Sequence, residues 1–173
     1  IVRGCLTHAA AQREPGNYLQ LLRALFKSLS VGKHKLQFEL LYRDLMPLVE
    51  SLFQSLLKLH EGPHRLAHRD IFIELCLIVP ARPSTIFPHL SDQLKPITLA
   101  LSSGSDLVAL GLRTLEFWVD TLQPDYLDRL LVAVEPGLTR ALFRHLRPAP
   151  YAYGAAALRI FGKLGSRMRR YPH

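Results

Sequence analysis

Three times along this chain a proline falls two residues after an apolar one, inside a segment that otherwise has the period of a helix. The three steps are Leu45-Met46-Pro47-Leu48, Leu94-Lys95-Pro96-Ile97 and Val134-Glu135-Pro136-Gly137, with prolines 49 and 40 residues apart. Proline in a helix interior removes a backbone donor and crowds the preceding turn, at a cost of about 3 kcal/mol. Its recurrence at one place in an apolar pattern predicts a bend that a repeated structure uses each time. The helical segments that follow share a further apolar position, Leu75, Leu115 and Ile160, spaced by 40 and 45 residues.

Paired helices recurring every 40–47 residues or so are the pattern of HEAT-type repeats. One such pair cannot bury its apolar face alone, so neighbouring pairs stack and the chain becomes an extended surface. The expected fold is all-α: a HEAT/TPR-like α-solenoid segment of stacked antiparallel helix pairs, some of them kinked at proline. Residues 1–173 are expected to form a single segment, about one lead-in helix followed by three pairs. A first residue Ile1 and a last stretch Tyr171-Pro172-His173, directly after a basic helical run, are those expected of an excerpt from a much larger protein.

Turn and cap signals give the expected elements. Residues 1–11 read as the tail of a helix, closed by the Pro15-Gly16 turn. Asn17 then stands as an N-cap for a helix with Tyr18, Leu22, Leu25 and Leu29 on one face and Gln20, Arg23 and Lys27 on the other, ending at Val31-Gly32-Lys33. A long helix is expected over Leu36–His60, bent at Pro47. Gly62-Pro63 breaks it, with Pro63 as the first position of the next helix, about 64–79, for which a buried strand is the competing reading. A helix over 84–102 is interrupted by Pro88 and Pro96, and Ser105 caps the next after Ser102-Ser103-Gly104. There Val108, Leu112, Leu115, Trp118, Val119 and Leu122 trace a wide apolar stripe opposite Arg113, Glu116 and Asp120. A helix from Gln123-Pro124-Asp125 runs to about Leu146, Pro148-Ala149-Pro150 ends it, and a last helix rich in small residues starts near Tyr151.

Charge is unevenly placed. The net charge is +8, yet residues 1–135 hold 14 basic and 14 acidic side chains. No acid follows Glu135, so the excess lies in Arg140, Arg144, Arg147, Arg159, Lys163, Arg167, Arg169 and Arg170. A one-sided field of this kind attracts acidic protein segments or nucleic acid. The candidate partner-binding residues are Arg140, Arg144, Arg147, Lys163, Arg167, Arg169 and Arg170; the competing reading is that acids elsewhere in a larger protein neutralise them. Arg3 and the polar 12–17 stretch interrupt any signal-peptide core. The apolar run Ile71–Val79 contains Glu74 and is far shorter than the ~20 residues that span a bilayer, so no membrane partner is expected. Two distant thiols, Cys5 and Cys76, fit a reducing compartment, cytosol or nucleus.

Four features invite a chemical reading. His68-Arg69-Asp70 spells the protein-kinase catalytic-loop triplet, but Leu75 stands where that loop needs a metal-binding Asn. His60, His64 and His68 are spaced as zinc ligands could be, but Gly62-Pro63 separates His60 from the others. Cys76 lies among Leu75, Leu77 and Ile78 without a nearby base, as a buried structural thiol does. Trp118 lies on the apolar stripe and is expected in the core rather than as an interface anchor; Arg113, Glu116 and Arg129 are expected to be solvated. No nucleophile elbow, phosphate loop or dinucleotide fingerprint occurs, and no catalytic residue, metal or cofactor is assigned.

An ordered set of short segments adds a resemblance covering roughly residues 17–170. It consists of Asn17-Tyr18-Leu19-Gln20-Leu21-Leu22-Arg23-Ala24-Leu25-Phe26-Lys27-Ser28, Glu74-Leu75-Cys76-Leu77-Ile78-Val79-Pro80-Ala81-Arg82, Gly111-Leu112-Arg113-Thr114-Leu115-Glu116, Val119-Asp120, Leu122-Gln123-Pro124-Asp125 and Gly162-Lys163-Leu164-Gly165. No one segment is specific, but in this order and at these distances they closely resemble the helical-repeat region of the TRRAP (transformation/transcription domain-associated protein) family. The resemblance implies a giant α-solenoid related to the phosphatidylinositol-3-kinase-like kinases, ending in a kinase-like domain without catalytic residues. It further implies a nuclear scaffold subunit of SAGA-type and nucleosomal histone acetyltransferase complexes, with coactivator subunits and transcription activators as protein partners. The stretch 140–157, with Arg147-Pro148-Ala149-Pro150, departs from the family pattern. Two other readings share the helical architecture: a solenoid segment of an active kinase of the same superfamily, and a nucleic-acid-binding helical repeat with Tyr151, Tyr153 and Tyr171 for base stacking. Direct nucleic-acid contact is the less favoured of the partner readings.

Overall fold

The computed structural model describes residues 1–30, 35–80 and 83–168. The elements in chain order are α1 (Val2–Ala11), α2 (Gly16–Ser30), α3 (Lys35–Leu45), a 3-10 turn (Met46–Leu48), α4 (Val49–Glu61), α5 (Leu66–Leu77), α6 (Pro83–Ile86), a second 3-10 turn (Phe87–His89), α7 (Leu90–Ala100), α8 (Ser105–Thr121), α9 (Pro124–Phe143) and α10 (Gly154–Met168). All regular structure among the described residues is helical, including the apolar run of α5 for which a strand competed. The chain divides into two compact units, Ile1–Gln93 and Leu94–His173, with the division inside α7.

In the first unit α2 packs on α1 and α5, and α4 packs on α5 and α1. Leu19, Leu22 and Phe26 of α2 join Val49, Leu52, Phe53 and Leu56 of α4 and Phe72, Leu75 and Cys76 of α5 in one core cluster. The core side of α2 is thus centred on Leu19, Leu22 and Phe26, while Tyr18, Leu25 and Leu29 of the expected stripe lie on its half-buried flanks. Contact with two neighbouring helices widens and turns the buried arc, which helical periodicity alone does not specify.

The second unit places α10 against α8 and α9. Val108, Leu112, Leu115, Trp118, Val119 and Leu122 are all buried, as the stripe predicts, and Trp118 is only 2% exposed. Gly111 lets α8 approach the C-terminal turn of α7: a Cβ there would lie 3.0 Å from the Ala100 Cβ and 3.5 Å from the Ile97 carbonyl oxygen.

The prolines resolve into a different register from the one the sequence suggests. Pro47 lies in the first 3-10 turn and divides the expected Leu36–His60 helix into α3 and α4. Pro88 occupies the equivalent place in the second 3-10 turn, between α6 and α7. Pro136 lies inside α9 without ending it. All three prolines are exposed, and in each case the residues two, five and six positions later are buried: Val49, Leu52, Phe53; Leu90, Gln93, Leu94; Leu138, Ala141, Leu142. Pro96 is buried inside α7 and does not share that environment. The repeating prolines are therefore Pro47, Pro88 and Pro136, spaced by 41 and 48 residues. An exposed proline leaves its orphaned carbonyl open to water, which is the side on which a repeated bend is tolerated.

Several boundaries also move. α2 begins at Gly16, so Asn17 lies in its first turn rather than capping it. Pro63 lies in the link before α5, whose N-cap is Arg65 and whose C-cap is Ile78, so the expected 64–79 helix is shorter at both ends. Gly104 rather than Ser105 caps α8. α9 ends at Phe143, and α10 starts at Gly154 after a turn in which the Gly154 N–H donates to the Tyr151 carbonyl. The expected helix end at Val31-Gly32-Lys33 lies outside the described residues. No helix among the described residues is long and apolar enough to cross a membrane.

Leu115 and Ile160 are fully buried, so Leu115→Ala and Ile160→Ala are each expected to cost about 2–5 kcal/mol in urea unfolding. Gly111→Val is expected to cost about 1–3 kcal/mol, because the α7–α8 approach leaves no room for the branched side chain.

Candidate interaction surface

The C-terminal half of α9 presents Arg140, Phe143, Arg144 and, just beyond the helix, Arg147, at spacings of three, four and seven from the first. All four are exposed, Phe143 to 55%. The Phe143 ring stands edge-on to Phe161 of α10 with centroids 4.8 Å apart. A shallow, open depression of about 460 Å³ is lined by Pro136, Thr139, Arg140 and Phe143. Arg147 donates from Nε to the Arg144 carbonyl at 3.0 Å, and its guanidinium lies 5.2 Å from the centre of the Tyr151 ring. Among the described residues none of these three arginines pairs with a carboxylate, in contrast to Arg159 and Lys163.

Beneath this row is a buried histidine that the sequence did not single out. His145, only 7% exposed, directs Nε2 at the Leu101 carbonyl oxygen and Nδ1 at the Tyr151 hydroxyl, both at 2.6 Å. A carbonyl can only accept, so Nε2 carries the hydrogen and donates. In the neutral ring Nδ1 then accepts from the Tyr151 hydroxyl. The His145 and Tyr151 rings are parallel, 6.0 Å apart, and Tyr153 stands edge-on to Tyr151. This clamp ties the segment after α9, including the cis Ala149–Pro150 peptide, to the end of α7. It also takes up Tyr151 and Tyr153, two of the residues considered for base stacking.

The bases of α10 stand in a different environment. Arg159 donates to both Glu116 carboxylate oxygens at 3.1 and 3.3 Å, and Lys163 reaches Glu116 at 3.2 Å and Asp120 at 2.7 Å. The Arg159 hydrogen bond is the main reason the Glu116 carboxyl is held below its usual range; partial burial opposes it and Lys163 adds to it. In return Glu116 raises Arg159, and Asp120, with Glu116 behind it, raises Lys163. Glu116 is therefore an α8–α10 contact rather than the solvated residue expected. The signal was present in the sequence: acids four apart in α8 face bases four apart in α10, each pair 43 residues apart. The α2–α5 contact is built alike, with Arg23 and Lys27 on Glu74 at 2.9 and 3.1 Å.

Of the seven candidate residues, the structure brings Arg140, Arg144 and Arg147 together and commits Lys163 to that internal network. The backbone of Arg167 belongs to α10, while Arg169, Arg170 and Tyr171 lie outside the described residues. The other features of the sequence are structural. His68-Arg69-Asp70 lies in the first turns of α5, where Arg69 donates to the His60 carbonyl at 2.9 Å and joins α5 to the end of α4. His64 packs edge-on to Phe72, and His68 Nε2 lies 3.9 Å from Glu14. Among the described residues no three His, Cys, Asp or Glu side chains form a group that could hold a metal. Burial pushes the Cys76 thiol far above its usual range, as a structural cysteine requires.

The match to known proteins agrees with this architecture. The family model described as the Tra1 HEAT repeat central region matches residues 1–149. This chain belongs to that family. The transformation/transcription domain-associated proteins of Danio rerio and Homo sapiens are each 41% identical to it over 170 residues, 98% of this chain. The SAGA complex/NuA4 acetyltransferase complex subunit TRA1 of Saccharomyces cerevisiae is 36% identical over 173 residues, 99% of this chain. In each case the chain spans about 4% of the relative's length. The all-α HEAT-type solenoid and the TRRAP/Tra1 family expected from the sequence are thereby established.

Two measurements test the local chemistry. A group whose folded pKa is depressed contributes stability at neutral pH and loses it as pH falls through the folded value. Glu116→Gln is therefore expected to flatten the acid limb of melting temperature against pH. Tyr151→Phe leaves the buried His145 Nδ1 without its donor and is expected to cost about 1–3 kcal/mol in chemical denaturation.

Proposed function

We propose that this chain is a non-catalytic helical-repeat segment of a transcription coactivator scaffold, a nuclear subunit of SAGA-type and nucleosomal histone acetyltransferase complexes that offers surface to activators and to other subunits. One observation carries the reading: the chain matches, almost end to end, proteins named as transcription-associated and as SAGA/NuA4 subunits. The physical form supports it. A stack of helix pairs gives every repeat an outer surface, and a solenoid binds through such surfaces rather than through an enclosed site. Within the parent protein residues 1–173 act as one stretch of the solenoid. Docking falls to the Arg140, Arg144 and Arg147 row, and the basic run through Arg167, Arg169 and Arg170 extends the positive field, while Lys163 serves the α8–α10 contact.

Affinity capture of the intact parent protein from nuclear extract, with identification of what accompanies it, tests this. Acetyltransferase-complex subunits are expected. Recovery of kinase regulators or repair factors in their place would mean that the segment belongs to a scaffold of another kind.

A further inference from the structure

We draw no further inference here: the strongest candidate, the side-chain cluster of His145 and Tyr151 against the Leu101 carbonyl between α7 and the segment after α9, has both histidine ring nitrogens taken by partners within the fold and so belongs to the clamp already described.

Discussion

Each second helix of a pair carries an apolar stripe too wide for its own partner to cover. Leu75, Leu115 and Ile160 lie in α5, α8 and α10 and are fully buried. α5 achieves this against α4 and α2, and α10 against α9 and α8. With roughly 1.5–3 kcal/mol gained for each large aliphatic side chain buried, contact with a neighbouring pair is a condition of folding rather than an addition to it. The same demand explains the exposed prolines: the first helix must turn while keeping its buried positions inward, and Pro47, Pro88 and Pro136 stand on the outer side where the lost hydrogen bond is hydrated.

Charges fix the register that apolar contact leaves loose. Arg23 and Lys27 on Glu74 tie α2 to α5, and Arg159 and Lys163 on Glu116 and Asp120 tie α10 to α8, each at one relative height. Exposed ion pairs add little stability. Yet a slip by one turn, about 5.4 Å, would separate every pair at once. The network also sorts the basic excess into cations that hold helices together and cations that face outward at the end of α9. Net charge alone treats the two kinds as equivalent.

The periodic parts of the fold were legible where one helix face meets one environment. The α8 stripe reads directly from its sequence and is buried throughout, including Trp118. α2 was less legible because helices on two sides shift its buried arc from Tyr18 and Leu25 towards Leu19 and Phe26. The proline repeat was legible as a repeat but one member was misplaced: Pro96 fits the local apolar pattern, and only its burial distinguishes it from Pro88. The candidate surface was half legible. Its arginines stand out in the sequence, whereas nothing in the spacing of Leu101, His145 and Tyr151 announces the clamp that holds the segment beneath them.

By itself the sequence determined helicity, the repeat of about 40–47 residues, the buried anchor of each second helix and the family to which the chain belongs. These follow from composition and period, which act within a dozen residues or are matched position by position. Tertiary structure alone decided which proline belongs to the repeat, which bases are neutralised and which remain open, and how His145 joins the ends of α7 and α9. Those outcomes depend on burial and on residues about 40 or more apart in sequence coming into contact, and only the packing of one helix on another sets either.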